Sequence, residues 1–324
     1  MNTLLTDSYP IEAWQGRQDI EEGVKGNRWH QQVAAYQRQR SEAPVLLGYA
    51  CEAGVIRNKG RAGAKEGPVT ARKNLANLPA LEGVTLFDAG DIDCRDDALE
   101  HTQQNYAHAV AGIIDDGNLL LGVGGDHSIT YATFQGLLQS DCAYDEARYG
   151  IINFDAHLDN RCSKPRNSGT SFYNLMEVCQ KRELDFKYAC IGLSAYANTR
   201  ALIERAEQDG ALLIYDTACI PSRLTELAAQ LETFIASRDL VYLTIDMDCL
   251  PAATMPAVSA PAAMGIDYWL LEQLTTRIVK NPKIRVVDIA EFSPVFDLDG
   301  RSAKVTGRLL AALIHACAIQ EASR

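Results

Sequence analysis

Asp155, His157 and Asp159 stand at every second position directly after the apolar residues Ile151, Ile152 and Phe154. Such an apolar run reads as a buried strand, and on a backbone that stays extended the three polar side chains share one face. Two carboxylates and an imidazole this close repel one another or suffer desolvation unless a cation lies among them, and a divalent metal is the simplest cation to supply. The competing reading is a polar strand end whose Asp residues cap the next helix. Two further stretches decide between them. The apolar run 119–123 ends in Gly124-Gly125-Asp126-His127-Ser128, and the run 240–245 ends in Asp246-Met247-Asp248. Three strand-like segments thus deliver acids or a histidine at their C-terminal ends, the edge where open parallel α/β sheets build their sites.

The candidate ligands are His127, Asp155, His157, Asp159, Asp246 and Asp248. Four carboxylates and two imidazoles exceed the needs of one ion and suit two divalent cations that share bridging carboxylates. The absence of thiolate argues against a structural zinc site, and two imidazoles make a pure Mg²⁺ or Ca²⁺ site less natural. Ligand type favours Mn²⁺. Two such ions about 3.5–4 Å apart lower the pKa of a shared water towards neutrality, so the expected chemistry is hydrolysis.

The elements that must position these groups follow the same logic. Strand-like runs near 45–49, 84–88, 118–123, 149–154, 188–193, 211–215, 240–245 and 284–289 alternate with helical patterns at 69–78, 98–114, 199–208, 223–237 and 303–319. This alternation predicts βαβ units and a mostly parallel sheet of about eight strands. With no linker or repeat, the 324 residues divide into a polar lead-in over 1–40 and a single domain over 41–324. A hydrophobic content of 47% is ample for a core, and no run of about 18 apolar residues could span a bilayer. The N-terminal 30 residues lack the apolar core of a signal peptide. Nine cysteines with no C-x-x-C pair sit largely in apolar runs, which fits reduced thiols in the cytoplasm. A net charge of −11 argues against a nucleic-acid partner.

Gly124-Gly125-Asp126-His127-Ser128, Asp155-Ala156-His157-Leu158-Asp159 and Asp246-Met247-Asp248 resemble the three metal motifs of the arginase/agmatinase (ureohydrolase) superfamily, in order and spacing, over a region from about Val45 to the C-terminal helix. The resemblance implies a three-layer α/β/α sandwich, two Mn²⁺ per subunit and commonly a homo-oligomer. By the same carry-over, His127 and Asp159 serve one ion, His157 and Asp248 the other, and Asp155 and Asp246 bridge. Further segments, among them 54–61, Ser168-Gly169-Thr170-Ser171-Phe172 and Val287-Asp288-Ile289-Ala290-Glu291, point to the branch that converts N-formimidoyl-L-glutamate and water to L-glutamate and formamide in L-histidine degradation. Departures from the other branches agree. Phe172 and Ser168 occupy positions where arginases and agmatinases respectively place a histidine, and Cys249-Leu250-Pro251 lacks the further acid of arginases. The alternative is another ureohydrolase acting on a guanidino acid; a non-catalytic metal-binding protein is a rival of a different class.

Arg161, two residues past Asp159, would repel a cationic substrate and suits a carboxylate, which a guanidinium grips bidentately; the competing role is pairing with a nearby Asp. Glu291 follows the last strand and could bind an amidinium. Asp159 and Glu291 are therefore the candidate catalytic residues, and Arg161, Ser168 and Glu291 the candidate substrate contacts. Arg57, Lys59 and Arg61 form a basic cluster that is either solvated or in contact with an anion or a neighbouring subunit. His30, His101, His108 and His315 lack acidic company and read as structural, Cys249 as core, and the loop carrying Pro251, Pro256 and Pro261 as a stiff rim.

Overall fold

The computed structural model describes residues 10–41 and 43–321; the first nine residues of the polar lead-in, and residues 42 and 322–324 of the 41–324 segment, lie outside it. Nine parallel strands form one sheet: β1 Val33–Ala35, β2 Pro44–Ala50, β3 Leu86–Asp93, β4 Leu119–Gly124, β5 Arg148–Phe154, β6 Asp185–Leu193, β7 Leu212–Tyr215, β8 Leu240–Asp246 and β9 Ile284–Ala290. Their order is β1-β3-β2-β4-β9-β8-β5-β6-β7. Helices cover both faces. On one side Gly67–Ala76, Leu224–Ala236, Tyr268–Ile278 and Arg301–Glu321 close one apolar layer; on the other Leu99–Asp115, Ile129–Gln139, Ser171–Lys181 and Arg200–Gln208 close a second. This three-layer sandwich explains why β2, β4 and β8 read as continuous apolar runs, since strands buried on both faces have no solvent side to alternate with.

The sheet order puts the chemistry-bearing strands together. β4, β9, β8 and β5 are consecutive neighbours at its centre, and their register aligns Val123, Ile289, Ile245 and Phe154 in one row. Immediately past that row come Gly124, Ala290, Asp246 and Asp155. The site residues therefore leave the sheet at one level along a single edge, as expected for a parallel sheet.

Two features differ from the expectations. First, β3 runs on to Asp93, past the anticipated end at residue 88, although D-A-G-D-I-D reads as polar. Asp88 and Asp91 are buried because Arg72, itself wholly buried on the 67–76 helix, bonds Asp88 at 2.9 Å and Asp91 at 2.6 Å. Second, the described part of the lead-in packs onto the domain. Trp29 and Tyr36 are buried, β1 adds an edge strand, and the Trp14 indole donates to Asp88 Oδ2 at 2.6 Å.

Candidate metal centre

The loop after β4 begins with Gly125, whose N–H donates to Tyr49 O at 2.8 Å. A Cβ there would lie 2.0 Å from Cys51 O, so only glycine lets the chain pass this close to the end of β2. Asp126 turns away from the cluster. It accepts from Val55 N at 2.8 Å and from Ser128 N at 3.0 Å, and so anchors the Ala53–Arg57 helix. His127, one residue later, points into the centre.

After β5 the backbone does not stay extended. The strand ends at Phe154, Asp155 Oδ1 accepts the His157 N–H at 2.7 Å in a turn, and Asp159 adopts φ 43°. The three side chains converge through a loop rather than through pleat alternation, because side-chain-to-backbone bonds of this kind compete with continued strand. The same correction holds after β8. Asp246 Oδ1 accepts Asp248 N at 2.8 Å and caps the 3₁₀ turn Met247–Cys249, which directs Cys249 into the core.

All six predicted ligands meet. His127 Nδ1 lies 3.2 Å from Asp155 Oδ2, 3.1 Å from Asp159 Oδ2 and 3.1 Å from Asp246 Oδ2. His157 Nδ1 lies 3.0 Å from Asp248 Oδ2 and 3.6 Å from Asp155 Oδ1. Two groups result, His127-Asp155-Asp159-Asp246 and Asp155-His157-Asp248, each able to hold an ion. Asp155 belongs to both and turns a different oxygen to each. Asp246, expected as a second bridge, stands in the first group only, and its other oxygen accepts from the backbone of Asp248.

The electrostatics suit a divalent pair. Burial pushes Asp246 well above the usual carboxylate range, and its neighbours Asp248 and Asp155 push it further. Asp155 goes the other way: burial raises it, but hydrogen bonds from His127 and His157 outweigh that and lower its pKa. Asp248 raises His157 strongly, and His127 is raised despite its burial by Asp246, Asp155 and Asp159. Four acids against two imidazoles leave negative charge in excess, and Asp248 Oδ1 is buried without a partner among the described residues. These donors fit two hard-to-borderline cations. Thr244 Oγ1, 3.1 Å from His127 Nε2, orients that imidazole; the sequence reading missed it because a Thr two residues before an Asp carries no signal of its own.

A cleft of about 230 Å³ opens over the cluster and is walled by Asn58, Arg161, Ser168, Ser259 and Glu291. Glu291 is buried with φ 67°; its Oε1 accepts from His127 N at 2.8 Å, and Oε2 has no partner among the described residues. Arg161 is exposed at the wall, with Asn58 Oδ1 at 3.1 Å from its Nη1 and no Asp partner among the described residues. Ser168 sits in a 3₁₀ turn capped by Asn167, whose Oδ1 accepts Gly169 N at 3.1 Å. Two members of the basic cluster serve elsewhere, and the third, Lys59, is exposed. Arg57 pairs with Glu100 at 2.6 Å, and Arg61 bonds the carbonyls of Val258 and Ser259 and stacks 4.0 Å over Phe296, fixing the proline-rich rim. The other histidines stay remote: His30 contacts Ala76 O, His101 contacts Asn105 and His315 packs on Trp29.

Residues 42–317 match the arginase family. A formimidoylglutamase of Ralstonia nicotianae is 42% identical over 99% of each chain. One from Psychrobacter cryohalolentis is 43% identical over 94% of this chain and 96% of its own. Among solved structures, formimidoylglutamase from Bacillus subtilis superposes with a TM-score of 0.82 at 20% identity, covering 93% of this chain and 94% of that one. Trypanosoma cruzi formiminoglutamase with two Mn²⁺ gives 0.75 at 24%, covering 87% and 95%.

Proposed function

The chain belongs to the arginase family, and on that premise we propose that it hydrolyses N-formimidoyl-L-glutamate to L-glutamate and formamide at a two-manganese centre. One observation carries the substrate: a single cleft holds the unpartnered carboxylate oxygen of Glu291 and the Arg161 guanidinium, matching an amidinium at one end of the substrate and a carboxylate at the other. The protein is a hydrolase of linear amidines acting in L-histidine degradation.

His127, Asp155, His157, Asp159, Asp246 and Asp248 would hold the metals. When bound, two Mn²⁺ ions supply the Lewis acidity that brings a water's pKa towards neutrality. Glu291 binds the amidinium through Oε2 and holds its carbon for attack. Arg161 grips a substrate carboxylate, with Ser168 beside it, and fixes the substrate along the cleft. Attack on the amidine carbon is followed by cleavage of its bond to the glutamate nitrogen, which needs a proton. Asp159, which borders both the metal group and the cleft, is placed to take the proton lost by water and deliver it to that nitrogen.

The reading extends to a single catalytic domain over 41–324 and a cytoplasmic homo-oligomer with no membrane or nucleic-acid partner. Support comes from nine cysteines in thiol form and from the absence, among the described residues, of a helix long and apolar enough to cross a membrane. An assay for formamide and urea release across amidine and guanidino-acid substrates tests the function. Formamide from formimidoylglutamate is expected. Preferential urea release from a guanidino acid would assign the chain to another branch.

A further inference from the structure

Asn58 lines the cleft but has no part in the chemistry above. Its amide joins the two loops that meet there: Oδ1 accepts from Arg161 Nη1 at 3.1 Å, and Nδ2 donates to Ser168 Oγ at 3.2 Å. Both loops are anchored independently of this bridge. Asn58 N bonds Gly54 O at 3.0 Å, ending a helix that Asp126 holds through Val55 N. Across the cleft wall, Arg161 N donates to Gly169 O at 3.0 Å, and a Cβ on Gly169 would approach Asn58 Nδ2 to 2.9 Å. The amide is thus packed against bare backbone, with a donor required on one side and an acceptor on the other. A side-chain amide satisfies both at once.

We propose that Asn58 is a positioning residue that aims the Arg161 guanidinium into the cleft and thereby sets the preference for substrates bearing a carboxylate. The inference rests on the reading of Arg161 as the carboxylate contact. Arg161 is exposed, and a long side chain left free loses rotamer freedom when a ligand immobilises it, at a cost of roughly two- to tenfold in affinity. Asn58 restrains it beforehand. Being neutral, Asn58 does so without discharging the guanidinium. A carboxylate of the same shape would instead pair with Arg161 and compete with the substrate.

A double-mutant cycle in the Mn²⁺-loaded enzyme tests this, with formimidoylglutamate and a carboxylate-free N-alkylformamidine as substrates. Asn58→Leu is expected to raise KM for formimidoylglutamate by about three- to tenfold, with kcat within about twofold and the carboxylate-free substrate unaffected. The same change added to Arg161→Asn should cost nothing more. Asn58→Asp, which keeps the shape and carries the test if the Leu variant fails to fold, should raise KM at least as far. Equal losses on both substrates, or equal effects in both Arg161 backgrounds, would overturn the inference. A wild type without preference for the carboxylated substrate would remove the Arg161 reading itself; a preference that survives Asn58→Asp or Asn58→Leu would remove only the role of Asn58.

Discussion

Glu291 and His127 are tied across the sheet: Oε1 of Glu291 accepts the backbone N–H of His127 at 2.8 Å, joining the ends of β9 and β4. The bond leaves Oε2 buried and without a partner among the described residues, on a residue whose φ of 67° is left-handed. Strain of this kind persists only where the surroundings over-determine it, and it concentrates at functional sites. The Glu291 carboxylate and the loop that carries His127 are thereby positioned by one contact.

Glu291→Gln keeps the shape and removes the charge proposed to face the amidinium. A fall in kcat/KM of roughly 10²-fold or more is expected, by analogy with loss of one electrostatic contact in a preorganised site. Steady-state kinetics close to wild type would place the amidine elsewhere. Glu291→Gly should do the opposite to the fold. It relieves a left-handed backbone that costs about 1–2 kcal/mol for an L-residue and removes a buried oxygen, Oε2, that has no partner among the described residues, against the loss of the Oε1 bond to His127 N. The melting temperature of the chelated protein should rise, and a lower one would show that the side chain's packing outweighs the strain.

Asp155 stands in both ligand groups and Asp248 in one. Asp155→Ala is therefore expected to bind neither ion firmly, whereas Asp248→Ala keeps one and loses the other. Metal analysis after dialysis reads this directly. Two ions retained in Asp248→Ala would contradict the assignment of His157 and Asp248 to a common ion.

Metal binding should release protons even at mildly alkaline pH. The carboxylate of Asp248 beside it is the main cause that raises His157 far above its ordinary 6.5, and its acidic neighbours raise His127 as well. His157, raised that far, stays protonated at pH 8 and must lose its proton to ligate. Because its folded value is raised, the His157 contribution to the stability of the metal-free protein is fully present below 6.5 and fades as pH rises through the raised value. Titration calorimetry with Mn²⁺ at pH 8, in buffers of different ionisation enthalpy, counts the protons. None released would refute the raised imidazoles, and His157→Asn should lower the count by about one.

How far the sequence discloses this arrangement depends on the range of the interaction. Buried parallel strands read directly as apolar runs, and polar clusters at their C-terminal ends mark the sheet edge, so Asp155, His157, Asp246 and Asp248 are legible from local pattern alone. The geometry that unites them is not. Asp155, His157 and Asp159 satisfy a strand alternation that the chain does not follow, and converge through a turn instead. β3 looks too polar past Asp88 because its counter-charge, Arg72, lies on another element. Asp126 has a ligand's chemistry and a ligand's neighbours, yet its oxygens are taken by Val55 and Ser128. Asn58 finds partners 103 and 110 residues away, a relation invisible to any local window.

Arg72 itself predicts a large stability effect away from the site. With Arg72, Asp88 and Asp91 all buried, Arg72→Met leaves two carboxylates without their counter-ion. Removing one partner of a buried ion pair costs about 3–5 kcal/mol. Urea unfolding should show a lower midpoint at an unchanged slope. A loss below about 1 kcal/mol would mean that the acids take up protons or water at little cost, as paired surface charges do.

The proposed role of Arg161 predicts a substrate-dependent loss. If its guanidinium grips a glutamate carboxylate, Arg161→Asn removes a charge-assisted contact and leaves all six metal-binding side chains in place. Such hydrogen bonds contribute about 1.5–3 kcal/mol, or roughly 10- to 150-fold in kcat/KM. The loss should be large for formimidoylglutamate and small for a formamidine without carboxylates. Arg161→Lys should recover only part of it, because an ammonium cannot reproduce the planar fork. Equal losses on both substrates would instead assign Arg161 to bracing the loop that carries Asp159. Arg57 and Arg61 offer no ready substitute for it, since Arg57 is held by Glu100 and Arg61 by the carbonyls of the rim; the exposed Lys59 of the same loop is then the next cation to vary.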